Sequence, residues 1–402
     1  MRVAYILCTA KPRTGSHIAF KNMLKGVMKK GVEPIIVIPD FQELYDDLKP
    51  LGVPIFMTKY RFAIYPYLRS FKDLLLFIPR LVGRQLFNGM TVRKLTAYLR
   101  DKDIDIIHTN VSVMDIGFRT ARKLGVPHIY HIREFAEEIG MHHFPSKKYF
   151  MNCLNKPDSY SICITKGIQK FFNEQGKPTS RVIYDGVFPM QQELDLKEKE
   201  RYFLFVGRVQ PVKGLLQLIQ AYAMYLEEGN KRFPLEVIGD ISDPPYYKII
   251  QDFIKAKGIQ DMVLFHGERS DVYSWMQKAR AIIISSLSEG FGFCLSEAMF
   301  NGCLTIGNNV DGTKEQMDNG LELQGEEISL RYETIKELAA LLKHVASQPI
   351  ESFHPMILRA FDTVNHLYTL EQHSDQVFLF YKDILNNTDN TNGKTGNFTD
   401  NI

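Results

Sequence analysis

The sequence predicts an α/β protein of two doubly wound, Rossmann-like domains with a ligand cleft between them. Three observations lead there. Short apolar runs of strand length alternate with helix-period segments through the first half. The same alternation restarts after a polar, charge-dense stretch at 188–201, which reads as a linker. The 402 residues suffice for two domains of ordinary size. Strands apolar throughout belong to parallel sheets covered on both faces.

In the first half, residues 3–7 read as a strand, 9–16 as a loop and 17–30 as a helix. Strands follow at 34–38 and 105–108, a helix at 113–124, then strands at 128–132, 161–164 and 182–184. In the second half, strands are expected at 202–206, 235–238, 263–265, 281–284 and 304–306. Helices are expected at 214–228, 246–257 and 293–300, the last closed by Gly302, with another inside 332–347. The domains so drawn are 1–188 and 189–368. A return helix at 369–385 crosses back onto the first domain, and an Asn/Thr/Gly-rich tail at 386–402 is expected to be disordered.

Hydrophobic content of 45% and charged content of 24% describe a soluble globular protein. A net charge of +3 is too small to make nucleic acid the main partner. Cys8, Cys153, Cys163, Cys294 and Cys303 show no C-x-x-C spacing, which favours a reducing, cytoplasmic setting over a disulfide framework. Met1-Arg2 runs directly into the first strand, too short for a signal-peptide core. No apolar run reaches the 18 residues expected of a membrane span.

The densest chemistry lies at 288–299. Glu289 sits on a strand-to-helix turn, Gly290-Phe291-Gly292-Phe293 follows, and Glu297 lies a turn into the helix. Free amides at a helix start hold anions, and carboxylates hold hydroxyls. Earlier, Gly207 and Gly214 bracket two cations, Arg208 and Lys213. Arg208 can fork onto a phosphate and Lys213 can add a point charge. Gly239-Asp240 and His266-Gly267 end two further strands; alone, such turns are common.

Taken together over roughly 202–317, these motifs, with Gly312-Thr313-Lys314-Glu315, resemble the retaining family-4 glycosyltransferases of GT-B architecture. The resemblance implies that Arg208 and Lys213 hold a donor diphosphate. It implies that Glu297 takes the ribose hydroxyls, and that Glu289 with the amides of Gly290, Phe291, Gly292 and Phe293 holds the donor sugar. Gly207, Gly239, Asp240, His266 and Gly267 would line the nucleotide. In the first half, Tyr130-His131-Ile132-Arg133-Glu134-Phe135 resembles the strand end carrying the family's active-site histidine, a role carried onto His131. Thr14-Gly15-Ser16 stands where the family has a phosphate-proximal glycine loop, with Gly15 the single glycine. Asp185 stands where the family usually has Asn. The resemblance implies a UDP- or GDP-sugar donor as co-substrate, with no further cofactor. It implies as acceptor a glycan or lipid-linked glycan of cell-surface polysaccharide synthesis, a soluble protein acceptor being the alternative.

Asp103-Ile104-Asp105 spells the acidic triplet of metal-dependent transferases, but it precedes a buried strand and Arg208 with Lys213 already offers charge neutralisation. No metal ion is expected. Residues 59–100 carry nine cations against one acid, Asp73, interleaved with aromatic and aliphatic residues, which suits an anionic membrane surface. Packing as a core-facing helix pair is the alternative. A sugar-nucleotide 2-epimerase and a non-catalytic partner subunit are the rival functions.

Overall fold

Two parallel sheets organise the chain. The first orders its seven strands β3-β2-β1-β4-β5-β6-β7. They are β1 Arg2–Ile6, β2 Glu33–Ile38, β3 Ile55–Met57, β4 Ile106–Thr109, β5 His128–Ile132, β6 Ser159–Cys163 and β7 Ser180–Val182. The second sheet orders six strands β10-β9-β8-β11-β12-β13. They are β8 Phe203–Val206, β9 Leu235–Ile238, β10 Val263–Gly267, β11 Ala281–Ile284, β12 Thr305–Asn308 and β13 Leu330–Tyr332. This computed structural model describes residues 1–8, 15–39, 43–68, 70–137, 140–196, 198–228 and 233–394.

The central strands are buried along their length, as in β1, β4, β5 and β11. That is why their sequences are apolar runs rather than alternations. In each sheet the strand order reverses beside the first strand of the unit, between β1 and β4 and between β8 and β11. Such a switch point opens a crevice at the carboxyl ends of the strands.

The chain divides into two units, one of residues 1–186 with 370–402 and one of residues 187–369. The last helix, Leu370–Lys394, therefore belongs to the first unit. Its Val377, Phe380, Tyr381 and Ile384 pack into the same core as Tyr5, Phe20, Met23 and Leu24. Fully burying such side chains is worth about 1.5–3 kcal/mol each. The helix continues past 385 to Lys394, so the expected tail at 386–402 is helical over its first part. Residues 395–402 lie outside the described residues, as does the 9–14 part of the expected first loop. Gly15 and Ser16 already belong to the helix Gly15–Lys29.

The stretch at 188–201 is not a free linker. Leu194 and Leu196 pack against the second core. Lys199 donates to the carbonyls of Gln277 at 2.5 Å and Gly302 at 2.8 Å. The charge density hid two alternate leucines. Helices at Lys147–Leu154, Val272–Lys278, Asp311–Gln324 and His354–Leu367 add to those expected, and the short, partly exposed β3 and β13 complete the sheets.

Gly26 lies where the first and last helices of the first unit meet. A Cβ there would stand 2.3 Å from Ser374 Cβ. Gly26→Ala should therefore destabilise the protein by about 1–3 kcal/mol through overpacking. Adding Ser374→Gly should recover most of the loss, read as the denaturant midpoint of each variant.

Candidate functional site

In the second unit, the expected site residues collect at the carboxyl ends of neighbouring strands. Gly207 follows β8, Gly239 follows β9, and His266-Gly267 ends β10. The Gly207 amide donates to Ile238 O and the Gly239 amide to Gly267 O, tying the three strand ends side by side. Gly239 has φ +150°, and a Cβ on it would fall 1.9 Å from Gly207 O. Glycine is required there by space as well as by torsion.

Across the switch point, the loop after β8 meets the loop after β11. Leu287 N donates to Val212 O, and Ser285 Oγ donates to Lys213 O at 2.9 Å. A Cβ on Gly214 would strike Ser285 O. This close approach brings Lys213 and Glu289 together: Lys213 Nζ donates to Glu289 Oε2 at 2.6 Å. Ser286 Oγ donates to the same oxygen at 3.0 Å. Sequence reasoning placed these two residues on different parts of a ligand; in this structure they neutralise each other. Arg208 is exposed and makes no ion pair among the described residues.

The turn at Gly290–Gly292 is held from below by residues the motif reading did not assign. Gln316 Nε2 donates to Phe291 O at 2.5 Å and to Gly292 O at 3.1 Å, and its Oε1 accepts from Ser296 Oγ. Asp311 Oδ2 accepts from the Glu289 amide at 3.3 Å, and the Gly312 amide donates to Glu289 O. Phe291 is buried edge-on against Phe293 and Tyr368. The helix Phe293–Phe300 then presents the amides of Phe293 and Cys294 at its start, the Leu295 amide being taken by Gly292 O. Thr313 Oγ1, fully buried beside this turn, has no partner among the described residues.

Glu297 accepts from Tyr273 OH at 3.3 Å. Burial raises its pKa above the usual 4.5, and the Tyr273 bond only partly offsets that. His266 is half-buried, with Nε2 2.5 Å from Glu236 Oε2 and its ring 4.8 Å from that of Trp275. Asp240 is exposed and accepts from Ser242 Oγ.

The first unit carries a separate buried polar cluster around His131, at the end of β5. His131 is fully buried. Its Nδ1 lies 3.1 Å from His108 Nε2 and 3.4 Å from Arg133 NH2. Arg133 NH1 donates to both oxygens of Asp185 at 2.5 Å, and its Nε donates to Asn110 Oδ1 at 3.0 Å. The Gly186 amide donates to His373 Nδ1 at 2.8 Å. Burial, then the positive charge of Arg133, holds His131 and His108 well below the usual histidine range. Burial likewise brings His373 down to about 4. Asp185, at the position of a usual Asn, is a full charge balanced by Arg133. Glu134 accepts from Ser112 N and Oγ, so it braces the β4–β5 loops from within.

His131, Asp185 and His373 lie close enough to share a metal ion. Arg133 already occupies the Asp185 carboxylate with a fixed positive charge. A second cation there would be buried against a guanidinium, at a large electrostatic cost. Asp103-Ile104-Asp105 serves the fold: Asp105 Oδ2 accepts from the Arg2 amide at 2.7 Å and so anchors the start of β1.

Partial burial of Glu297 disfavours its charged form and so carries a stability penalty. Between its unfolded and raised folded pKa, the native state keeps a proton that the unfolded chain releases. Stability is therefore lost as pH rises through that window. Glu297→Gln should raise Tm at pH 7 by about 2 °C. The gain should shrink toward zero near pH 4, where the carboxyl is protonated in both states. Scanning calorimetry across pH checks it.

Residues 188–357 match the family model described as Glycosyl transferases group 1. Among its curated relatives, the chain is 28% identical over 227 residues to the uncharacterized glycosyltransferase MJ1178 of Methanocaldococcus jannaschii. That match covers 55% of this chain and 61% of the relative. It is 22% identical over 270 residues to the capsular polysaccharide biosynthesis glycosyltransferase CapH of Staphylococcus aureus, covering 63% and 74%. The fold is similar to that of Alr3699/HepE of Anabaena, solved with UDP and glucose. The TM-score is 0.70 at 17% identity, over 94% of this chain and 98% of that one. The fold is thus that of the GT-B proteins, and the unit that holds Arg208, Lys213, Glu289 and Glu297 is the part of the chain that matches the glycosyl transferases group 1 model.

Proposed function

We propose that the chain is a retaining, metal-independent glycosyltransferase that moves a sugar from a UDP- or GDP-activated donor to a glycan or lipid-linked acceptor of cell-surface polysaccharide synthesis. The observation that carries the reading is the pairing of Lys213 with Glu289 across the switch point of the second sheet, beside a free arginine and a helix start. A diphosphate entering there takes Lys213 from Glu289, adds Arg208, and meets the first amides of the helix. Glu289, so released, turns to the sugar hydroxyls. Glu297 accepts from the ribose. The cations and amides stabilise the negative charge that builds on the leaving phosphate as the glycosidic bond breaks. That phosphate then accepts the acceptor's proton on the same face. HepE binding UDP and glucose supports the donor class, and the capsular role named for CapH supports the acceptor class.

The first unit offers an acceptor cavity of about 680 Å³ lined by Tyr65, Tyr67, Phe77, Glu137 and His143. Aromatic faces with a carboxylate beside them suit a pyranose ring. Close to it, the helix Phe77–Leu99 turns two faces different ways. Val92, Leu95 and Leu99 are buried, while Ile78, Val82, Leu86 and Met90 stand exposed at a four-residue spacing. Phe71, Leu74 and Leu75 extend the exposed stripe. Its basic flanks support docking on an anionic membrane surface at the cytoplasmic face. Among the described residues no helix is long and apolar enough to cross a membrane.

Lys213→Ala should lower kcat/KM for donor turnover at least about 100-fold, as expected for loss of a leaving-group cation. Released nucleotide, measured over a panel of UDP- and GDP-sugars, reads it; near-normal turnover sinks the assignment. The protein should also cosediment with phosphatidylserine-containing vesicles, and salt above about 0.5 M should release it. Absence of binding at low salt removes the membrane part of the reading.

A further inference from the structure

Around His131 the hydrogen bonds form a single chain. The hydroxyls of Tyr5 and Tyr381 lie 3.2 Å apart. Tyr381 Oη lies 2.6 Å from His108 Nδ1, and His108 Nε2 lies 3.1 Å from His131 Nδ1. His131 Nε2 is buried and has no partner among the described residues. Each link could run either way by itself, because hydroxyls and imidazoles both donate and accept.

Arg133 breaks the tie. A guanidinium only donates, and its NH2 stands 3.4 Å from His131 Nδ1. A proton on that nitrogen would face a cation and its N–H groups. The lone pair therefore sits on Nδ1, and every other link follows. His108 donates through Nε2, leaving its Nδ1 to accept from Tyr381. Tyr381, having spent its proton, accepts from Tyr5. The other groups facing His131 agree. His373 accepts on Nδ1 from the Gly186 amide, and Asp185 is taken by Arg133. No acid is left to charge the ring.

We propose that the Tyr5–Tyr381–His108 chain, given its direction by Arg133, holds His131 as a neutral imidazole with its proton on Nε2. His131 is thus a hydrogen-bond donor and not a base, and His108 and Tyr381 are its positioning residues. Its Nε2–H is fully buried here and reaches a sugar hydroxyl oxygen only if the side chains around it part. That last role rests on the proposed transfer reaction, whereas the tautomer does not. The proton of the acceptor must then leave by another group, which agrees with its passing to the leaving phosphate.

Ring-nitrogen NMR of the full chain with isotope-labelled histidine tests the assignment, the His131 signals being identified by their loss in His131→Gln. The wild type should show His131 and His108 as single Nε2–H tautomers that do not titrate between about pH 5 and 8. A proton on His131 Nδ1, or an imidazolium at neutral pH, overturns the proposal. Tyr381→Phe removes the donor to His108 Nδ1 and should shift that nitrogen's resonance while Nε2 keeps its proton; an unchanged His108 spectrum overturns Tyr381 as a positioning residue. With UDP-glucose as probe, Tyr381→Phe should lower kcat about tenfold at unchanged KM, the size of one hydrogen bond. If the wild type leaves every donor in the panel intact, the transferase reading fails, while the spectra still decide the tautomer.

Discussion

Three backbone approaches too close for any Cβ set the geometry of the second unit. Gly239 lies on the carbonyl of Gly207, Gly214 on that of Ser285, and Gly312 on those of Gly290 and Phe291. Each joins a strand-end loop to its neighbour. Because the contact is backbone to backbone, no rotamer change can relieve a larger residue. The positions of Lys213, Glu289 and the following helix are consequences of these contacts. The side chains that would do chemistry are carried on loops whose spacing is fixed elsewhere.

The electrostatics follow the same division. Lys213 and Glu289 are partly buried and satisfy each other, with Ser286 as a third partner. Arg208 remains exposed and unpaired among the described residues. In the proposed reading, an anion entering this site would exchange for an internal salt bridge, so the net gain would be smaller than two bare cations would give. The reward is selectivity: only a ligand that also offers hydroxyls to Glu289 recovers what the broken pair loses.

Much of this was legible in the sequence, for physical reasons. Buried parallel strands are mostly apolar, so 128–132, 235–238 and 281–284 could be read at their true bounds. Glycines forced by close approach stand out beside charged residues, which exposed the Gly207–Gly214 and Glu289–Gly292 loops. Other features leave no such mark. Leu194 and Leu196 are two apolar residues in a charged run. Gln316 braces a turn 25 residues away. The link from His131 through His108 to Tyr381 spans most of the chain, and no local pattern announces it. The pairing of Lys213 with Glu289 escaped for the same reason: motif logic assigns each residue to a ligand, and only space shows that they meet.

The last helix has a consequence for how the protein is made. Val377, Phe380, Tyr381 and Ile384 complete a core whose other members are encoded near the start, among them Tyr5, Phe20 and Leu24. During synthesis the amino-terminal strands emerge early, but their core stays open until residues 377–384 have left the ribosome. The second unit, continuous from 187 to 369, is finished first. The order of folding is therefore the reverse of the order of synthesis. The first unit spends that interval with apolar surface uncovered, and any premature stop before residue 370 leaves it so.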